Sequence, residues 1–194
     1  MRSTGNAGAR RWDLDPRVAR GSGRAEKGGA AAEPADHALG RSRGGWGTKR
    51  HLACDAKGTI TAFCLTAGQI NECTQVVRLL APVQIGPRRR PVRLLGDKAY
   101  STRAIRAWAR QHHVALTIPE RSDQLAQRAH RPGRKPCCDR HVYRSRNIIE
   151  RAVGWLKRWR RLATRAEKLA VCFHAAICRA LSASYAAKYF SDTT

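Results

Sequence analysis

Four side chains between residues 143 and 157 have a spacing that would bring them together on a helix. They are Tyr143, Arg146, Glu150 and Lys157. At about 100° per residue, Tyr143 and Lys157 fall about 20° to either side of Glu150, and Arg146 falls about 40° away. Glu150 is the only carboxylate in a run that holds eight bases, from Arg144 to Arg165. It can either pair with Arg146 on a solvated helix face, for a few tenths of a kcal/mol, or hold a metal ion.

A second carboxylate, Asp97, follows the apolar run from Val92 to Gly96, which predicts a short buried strand. Ligand sites in open α/β sheets lie at the carboxyl ends of strands. Asp97 could instead cap the next helix, but Ser101 lies closer to that helix start. Because Mg²⁺ prefers carboxylates, water and phosphate oxygens, Asp97 and Glu150 are predicted to be catalytic metal ligands for phosphoryl transfer.

The charge of the chain indicates a polyanionic partner. It has 38 Lys and Arg residues against 14 Asp and Glu, a formal net charge of +24. Neutralising phosphates releases counterions and favours binding to DNA or RNA. No apolar run is predicted to approach the roughly 18 residues that span a bilayer, so we expect a cytoplasmic, nucleoid-associated protein with no membrane partner. The seven cysteines form no C-x-x-C pair, which argues against a zinc site.

The order of elements predicts an α/β protein. Residues 1–40 are rich in Gly, Ala and Arg and are predicted to be a disordered or irregular basic arm. Residues 41–190 are predicted to form one catalytic domain that starts with a β-hairpin around residues 55–58. Helices and short strands then alternate, and two helices close the chain, the first continuous through Tyr143 and Trp159. This order, β-β-α-β-α-β-α-α, predicts a mixed sheet flanked by helices.

With these residues in view, the chain resembles a known family. The spacing of Tyr143, Arg146, Glu150 and Lys157 is that of the Y-R-E-K signature of DDE transposases from bacterial insertion sequences. We call these four the signature residues. The stretches GRSRGGWGTKRHLACD, LLGDKAYS and RLATRAEKLAV are also similar to that family.

The resemblance implies a ribonuclease-H-like fold and a set of residue roles. Asp97 matches the second Asp of the family and Glu150 its Glu, both catalytic and both metal ligands. Tyr143, Arg146 and Lys157 match positions that contact transposon DNA. The resemblance further implies two Mg²⁺ or Mn²⁺ ions in a complete site, strand cleavage and transfer in DNA transposition, and a homo-oligomer when active.

The chain departs from the family at its start. Only two strands are predicted before the first helix, where the family has three, so the first strand with its Asp is expected to be missing. The aspartates upstream of the hairpin are Asp13, Asp15 and Asp36. The stretch RRWDLDPRV, which contains the first two, places Pro16 and charges where a central strand should be apolar. The chain is therefore expected to be the carboxyl-terminal part, or a truncated copy, of a transposase.

Two alternatives to an active enzyme follow from this sequence. One is a catalytically inactive DNA-binding remnant or transposition inhibitor, which would act with an upstream transposase fragment or a full-length transposase. The other is a general nucleic-acid-binding protein, such as an RNA-binding factor. It would need exposed aromatic side chains in a basic groove, for which Trp46, Trp155 and Trp159 are the candidates.

Overall fold

The computed structural model describes residues 37–83, 90–130 and 138–190, together with the backbone of residues 11–20. The strands are β1 (Arg11–Arg20), β2 (Gly40–Ser42), β3 (Gly45–Cys54), β4 (Ile60–Ala67), β5 (Arg93–Gly96) and β6 (Ala115–Thr117). The helices are α1 (Val76–Leu80), α2 (Arg103–Gln111), α3 (Ser122–Ala129), α4 (Arg140–Arg144), α5 (Asn147–Lys157), α6 (Arg160–Thr164) and α7 (Ala170–Phe190). Short 3-10 helices lie at Glu72–Gln75 and Lys98–Tyr100.

One mixed sheet contains all six of these strands. Its order is β2-β3-β1-β5-β6, and β4 also pairs with β3. The pairs β1–β3 and β3–β4 are antiparallel, whereas β1–β5 and β5–β6 are parallel. Antiparallel strands at one side and parallel strands joined by a helical crossover at the other give the ribonuclease-H-like arrangement, so the predicted fold class is confirmed.

The prediction that the first strand is missing is wrong. Residues 11–20, which were assigned to the irregular arm, form β1 in the middle of the sheet, between β3 and β5. The expectation of a truncated copy rested on that missing strand and loses this support. The remainder of the predicted arm up to residue 36, including Asp36, lies outside the described residues.

Pro16 was the main argument against this strand, and the pairing explains why it is tolerated. The described pairing between β1 and β5 ends at Leu14 and Gly96. Pro16 lies beyond that point and pairs with His51 of β3. Proline has no backbone N–H group to donate to a neighbouring strand. Where a strand is paired on one side only, every second N–H group points away from the partner and makes no hydrogen bond within the sheet. A proline in this half of β1 therefore need not break the ladder.

Helices cover both faces of the sheet. Successive side chains of β3 point to opposite faces, so this strand contributes to two separate cores. Ala53 packs into a cluster with residues of α1 and α2, which includes Val76, Leu79 and Ile105. Its neighbours Leu52 and Cys54 pack into a second cluster, built by α5, α6 and α7. The second cluster contains Ile149, Val153, Leu156, Leu162, Phe173 and Ile177.

The predicted hairpin is confirmed as β3–β4, and its turn is fixed by local chemistry. The Asp55 carboxylate accepts hydrogen bonds from the backbone N–H groups of Lys57 and Thr59, both at 2.9 Å. Gly58 adopts a positive φ of 80°, which glycine does without steric cost.

Several local helix predictions need correction. The helix through the signature residues is broken, because α4 ends at Arg144 and α5 begins at Asn147. The N-cap of α2 is Thr102, whose side chain accepts from the Ile105 N–H, and not Ser101. Part of the polar segment after β6, predicted to be a loop, forms α3.

The last helix, α7, bears on the membrane expectation. Its 21 residues are long and apolar enough to cross a bilayer by length and composition, with a mean hydropathy of 1.2 over the best window. The prediction that no segment approaches this length is therefore wrong. One such helix is weak evidence for a membrane. Helix α7 places Phe173 and Ile177 in a core, although most of its residues are not buried.

Candidate active site

The register between β1 and β5 places an acidic residue of β1 beside Asp97. Leu14 pairs with Gly96, the last residue of β5. Counting one residue further along each of these parallel strands brings Asp15 level with Asp97, whose backbone is still extended (φ −67°, ψ 162°). Asp13 pairs with Leu95, one step inside the strand. Of the acids rejected from the sequence, Asp15 is thus the one that the backbone aligns with Asp97.

Asp97 is half-buried and makes no side-chain hydrogen bond to the helix that follows it. Asp139 provides the contrast, since its carboxylate caps α4 by accepting from the N–H groups of His141 and Val142. Capping is the common structural role for an aspartate at such a position. Because Asp97 does not cap the following helix, its carboxylate is available to bind a ligand at the end of the sheet.

Three of the signature residues contact one another at the start of α5. Arg146 donates from Nη2 to Oε1 of Glu150 at 2.5 Å, and its guanidinium lies 5.9 Å from the centre of the Tyr143 ring. The Arg146–Glu150 pair expected as the alternative role is therefore present. The Glu150 side chain is 42% exposed, so the pair contributes little to stability. The described bond uses Oε1, and Oε2 can face another ligand.

The break before α5 changes how these residues are held together. Tyr143 lies in α4, and Arg146 is the N-cap of α5 with backbone angles that remain helical (φ −59°, ψ −22°). The shared helix face predicted for the four signature residues is therefore kept only in part. Glu150 and Lys157 share α5, seven residues apart, and Lys157 is exposed.

The fold brings the two acid-bearing elements against the same strand. Helix α5 contacts β1, and β1 pairs with the β5 strand that leads to Asp97. Beside Glu150, the side chain of Ile149 is fully buried in the core under α5, which fixes the rotation of the helix. Within the described residues, no group of three or more His, Cys, Asp or Glu side chains that could hold a metal ion is found.

A signal for β1 was present in the sequence. Trp12 and Leu14 alternate with Asp13 and Asp15, the period-two pattern of a half-buried strand. The pattern covers only four residues and is followed by Pro16. The composition of residues 1–40, rich in Gly, Ala and Arg, therefore favoured the prediction of an irregular arm. Pairing with both β3 and β5 is what identifies the strand.

Two buried arginines, missed at the sequence level, attach the segment after α5 to β3. Arg50 is 1% exposed and donates from Nη1 to the Leu162 carbonyl at 2.8 Å. Arg165 is 5% exposed and donates to the Ala38 carbonyl at 3.2 Å and to the Thr48 hydroxyl. Since α6 also contacts α5 and β1, these bonds help to hold the Glu150 helix on the sheet.

Solvent-exposed bases surround the free face of α5 and α6. Arg151, Lys157, Arg158, Arg160 and Arg161 are all exposed. Trp159, between them, is 44% exposed and stacks edge-on against Trp155 at 6.2 Å. Such a surface attracts polyanions.

The six cysteines among the described residues are free thiols, and Cys54 is the only one of them that is buried. Burial raises the pKa of the Cys64 thiol, which makes it a poor thiolate ligand.

Comparisons of the chain with known proteins give two relatives and a family. A putative transposase for insertion sequence element IS402 from Burkholderia cepacia is 28% identical over 130 residues, which cover 64% of this chain and 56% of that protein. The chain thus spans just over half the length of this relative. The crystal structure of the Mos1 strand transfer complex matches with a TM-score of 0.34 and 16% identity, over 74% of this chain and 52% of that one. The sequence pattern of the family described as "Transposase DDE domain" matches residues 14–184, and the chain therefore belongs to the DDE transposase family.

Proposed function

We propose that this chain is the catalytic domain of an insertion-sequence transposase, which binds transposon DNA and catalyses metal-dependent strand cleavage and transfer. The observation that carries the proposal is the alignment of Asp15 on β1 with Asp97 after β5, together with the packing of the Glu150 helix against β1. The three acids of a DDE site then come from three elements that meet at one strand.

The donor chemistry fits a hard divalent cation. Asp97 makes no capping bond, Glu150 is partly exposed with Oε1 held by Arg146, and all three proposed ligands are carboxylates, which suit Mg²⁺ or Mn²⁺. We propose Asp15, Asp97 and Glu150 as catalytic residues and as the ligands of two ions. Bound divalent ions activate a water or 3′-hydroxyl nucleophile and stabilise the leaving oxygen.

The other signature residues have positioning and binding roles in this proposal. Arg146 orients the Glu150 carboxylate through its 2.5 Å hydrogen bond. Tyr143, Arg146 and Lys157 contact the DNA, with Lys157 exposed two turns along α5 from Glu150. The exposed bases of α5 and α6 neutralise phosphates and hold the strand over the acids.

The test compares substitutions that replace one carboxylate by a neutral amide of nearly the same size in the full chain. Glu150→Gln, Asp97→Asn and Asp15→Asn are each expected to reduce Mg²⁺-dependent cleavage of transposon-end DNA at least 100-fold, while the Kd for DNA changes less than threefold. Asp13→Asn is the matched control on the same strand and is expected to retain cleavage. Loss of cleavage in Asp13→Asn with retention in Asp15→Asn would refute the assignment on β1.

The alternative of an inactive remnant or transposition inhibitor rested on a missing first strand. With β1 in the sheet, the active enzyme is the better-supported proposal. A wild-type chain that binds transposon ends but cuts none of them with Mg²⁺ or Mn²⁺ would favour the inhibitor. The proposed enzyme works on cytoplasmic, nucleoid-associated DNA as a homo-oligomer.

A further inference from the structure

The exposed face of α5 contains a glycine where a side chain would be expected. Taking Glu150 as zero, Gly154 falls about 40° around the helix. Lys157 lies about 20° to one side of Glu150, and Arg151 and Arg158 lie about 80–100° to the other. All three bases are exposed, as is Gly154 itself. Gly154 is thus a bare position between the proposed catalytic Glu150 and a set of solvated cations.

Nothing among the residues that the structure describes accounts for this glycine. A Cβ built at Gly154 would meet none of their atoms within 4 Å, and the φ of Gly154 is not among the positive values. Gly68 shows the contrary case, because a Cβ there would come within 2.7 Å of the Gly40 carbonyl oxygen. Glycine in a helix interior is unfavourable relative to alanine, since it loses more conformational freedom on folding. The fold would therefore be more stable with alanine at position 154.

Glycine is also the residue that lets a ligand approach the backbone closely. The charges around Gly154 define the chemistry of such a ligand, because Arg151, Lys157 and Arg158 surround an open surface that suits an anionic polymer. A helix surface without a side chain admits the sugar-phosphate backbone to van der Waals distance of the helix, next to Glu150. A neutral partner would not need this ring of bases.

We propose that Gly154 is the contact point at which the sugar-phosphate backbone of bound DNA rests on α5. The inference rests on the proposed function and adds a position to its DNA interface that carries neither charge nor hydrogen-bonding side chain. The interaction is steric, so side chains added at position 154 push the DNA away from Glu150 in proportion to their size.

The experiment measures the Kd of the full-length chain for transposon-end duplex by fluorescence anisotropy, over a range of salt concentrations, together with Tm. Gly154→Ala is expected to raise Tm by about 2 °C and to weaken DNA binding at least fivefold, and Gly154→Met is expected to weaken it further. The slope of log Kd against log salt should stay unchanged, because no charge is lost. Ala183→Met places the same methionine side chain on an exposed face of α7 and should leave DNA affinity unchanged.

Arg151→Ala separates failure of this inference from failure of the proposed DNA interface. It should weaken binding and lower the magnitude of the salt slope by about one. If Arg151→Ala behaves this way while both Gly154 variants bind as tightly as wild type, only the role of Gly154 is refuted. If Arg151→Ala changes neither affinity nor slope, the DNA interface on α5 is refuted as well. A fall in Tm for Gly154→Ala would mean that the glycine serves the fold, which also overturns the inference.

Discussion

Arg165 provides a sharp test of how the site is held, because one side chain joins three parts of the chain. Its guanidinium donates to the carbonyls of His37 and Ala38, to the Thr48 hydroxyl and, at 3.1 Å, to the Lys168 carbonyl. It also lies 5.5 Å from the centre of the buried Phe173 ring. Replacing Arg165 with alanine removes all of these contacts at once.

The cost can be estimated from the charged hydrogen bonds that are lost. Ala38 and Thr48 are 3% and 0% exposed, so water cannot easily replace the guanidinium at either acceptor, although the Ala38 carbonyl keeps its hydrogen bond from the Thr48 hydroxyl. Each lost charged hydrogen bond costs about 1.5 kcal/mol. Lost contact with the Phe173 ring adds about 1 kcal/mol. Arg165→Ala should therefore lower the free energy of unfolding by about 4 kcal/mol, a large part of the 5–15 kcal/mol typical of a domain.

The backbone of Arg165 makes the prediction more specific. Arg165 has a left-handed conformation (φ 48°, ψ 80°), which costs a non-glycine residue about 1 kcal/mol. Glycine removes that cost as well as the side chain. Arg165→Gly should therefore be less destabilising than Arg165→Ala by about 1 kcal/mol.

Urea unfolding followed by tryptophan fluorescence measures these differences. Arg160→Ala is the control, since Arg160 is exposed and its loss should change the free energy of unfolding by less than about 0.5 kcal/mol. A cost below about 1 kcal/mol for Arg165→Ala would show that its hydrogen bonds do not anchor the segment. A larger cost for glycine than for alanine would contradict the argument from backbone strain.

Three further predictions concern local stability. Burial lowers the pKa of His51 from 6.5 to about 4, so the unfolded chain takes up this proton first as the pH falls. The free energy of unfolding of the wild type, measured by urea titration, should therefore fall by up to about 3 kcal/mol between pH 6.5 and 4. The variant His51→Gln should not show this loss. Glu120→Gln should destabilise by about 1–2 kcal/mol, and by less at 1 M NaCl, because the Glu120 carboxylate accepts from both terminal guanidinium nitrogens of Arg128, Nη1 and Nη2. Equal losses at low and high salt would contradict the ion-pair explanation. Thr102→Ala should lower the free energy of unfolding by about 1 kcal/mol through loss of the α2 N-cap, and an unchanged urea midpoint would contradict that role.

The local chemistry of the sequence determined several features without the tertiary structure. The turn at Asp55 and Gly58 formed as predicted, because an aspartate that binds the backbone two and four residues on and a glycine with positive φ act within five residues. Strand β5 and the acid that follows it were also found. The spacing of Arg146 and Glu150 predicted their contact, since i and i+4 side chains meet on a helix.

Tertiary structure decided whatever depends on partners distant in the chain. Asp15 and Pro16 lie in a strand that pairs with β3 and β5. Hydrogen bonds to strands so distant in the sequence cannot be predicted from the neighbouring residues. Arg50 and Arg165 are two of the 38 Lys and Arg residues of the chain, and the local sequence does not distinguish them. Both are nevertheless buried and donate to carbonyl groups. The sequence by itself determined which side chains could do chemistry, because spacing and residue type are local. Which acid stands beside Asp97 was decided by the sheet, because strand register is a property of the assembled fold.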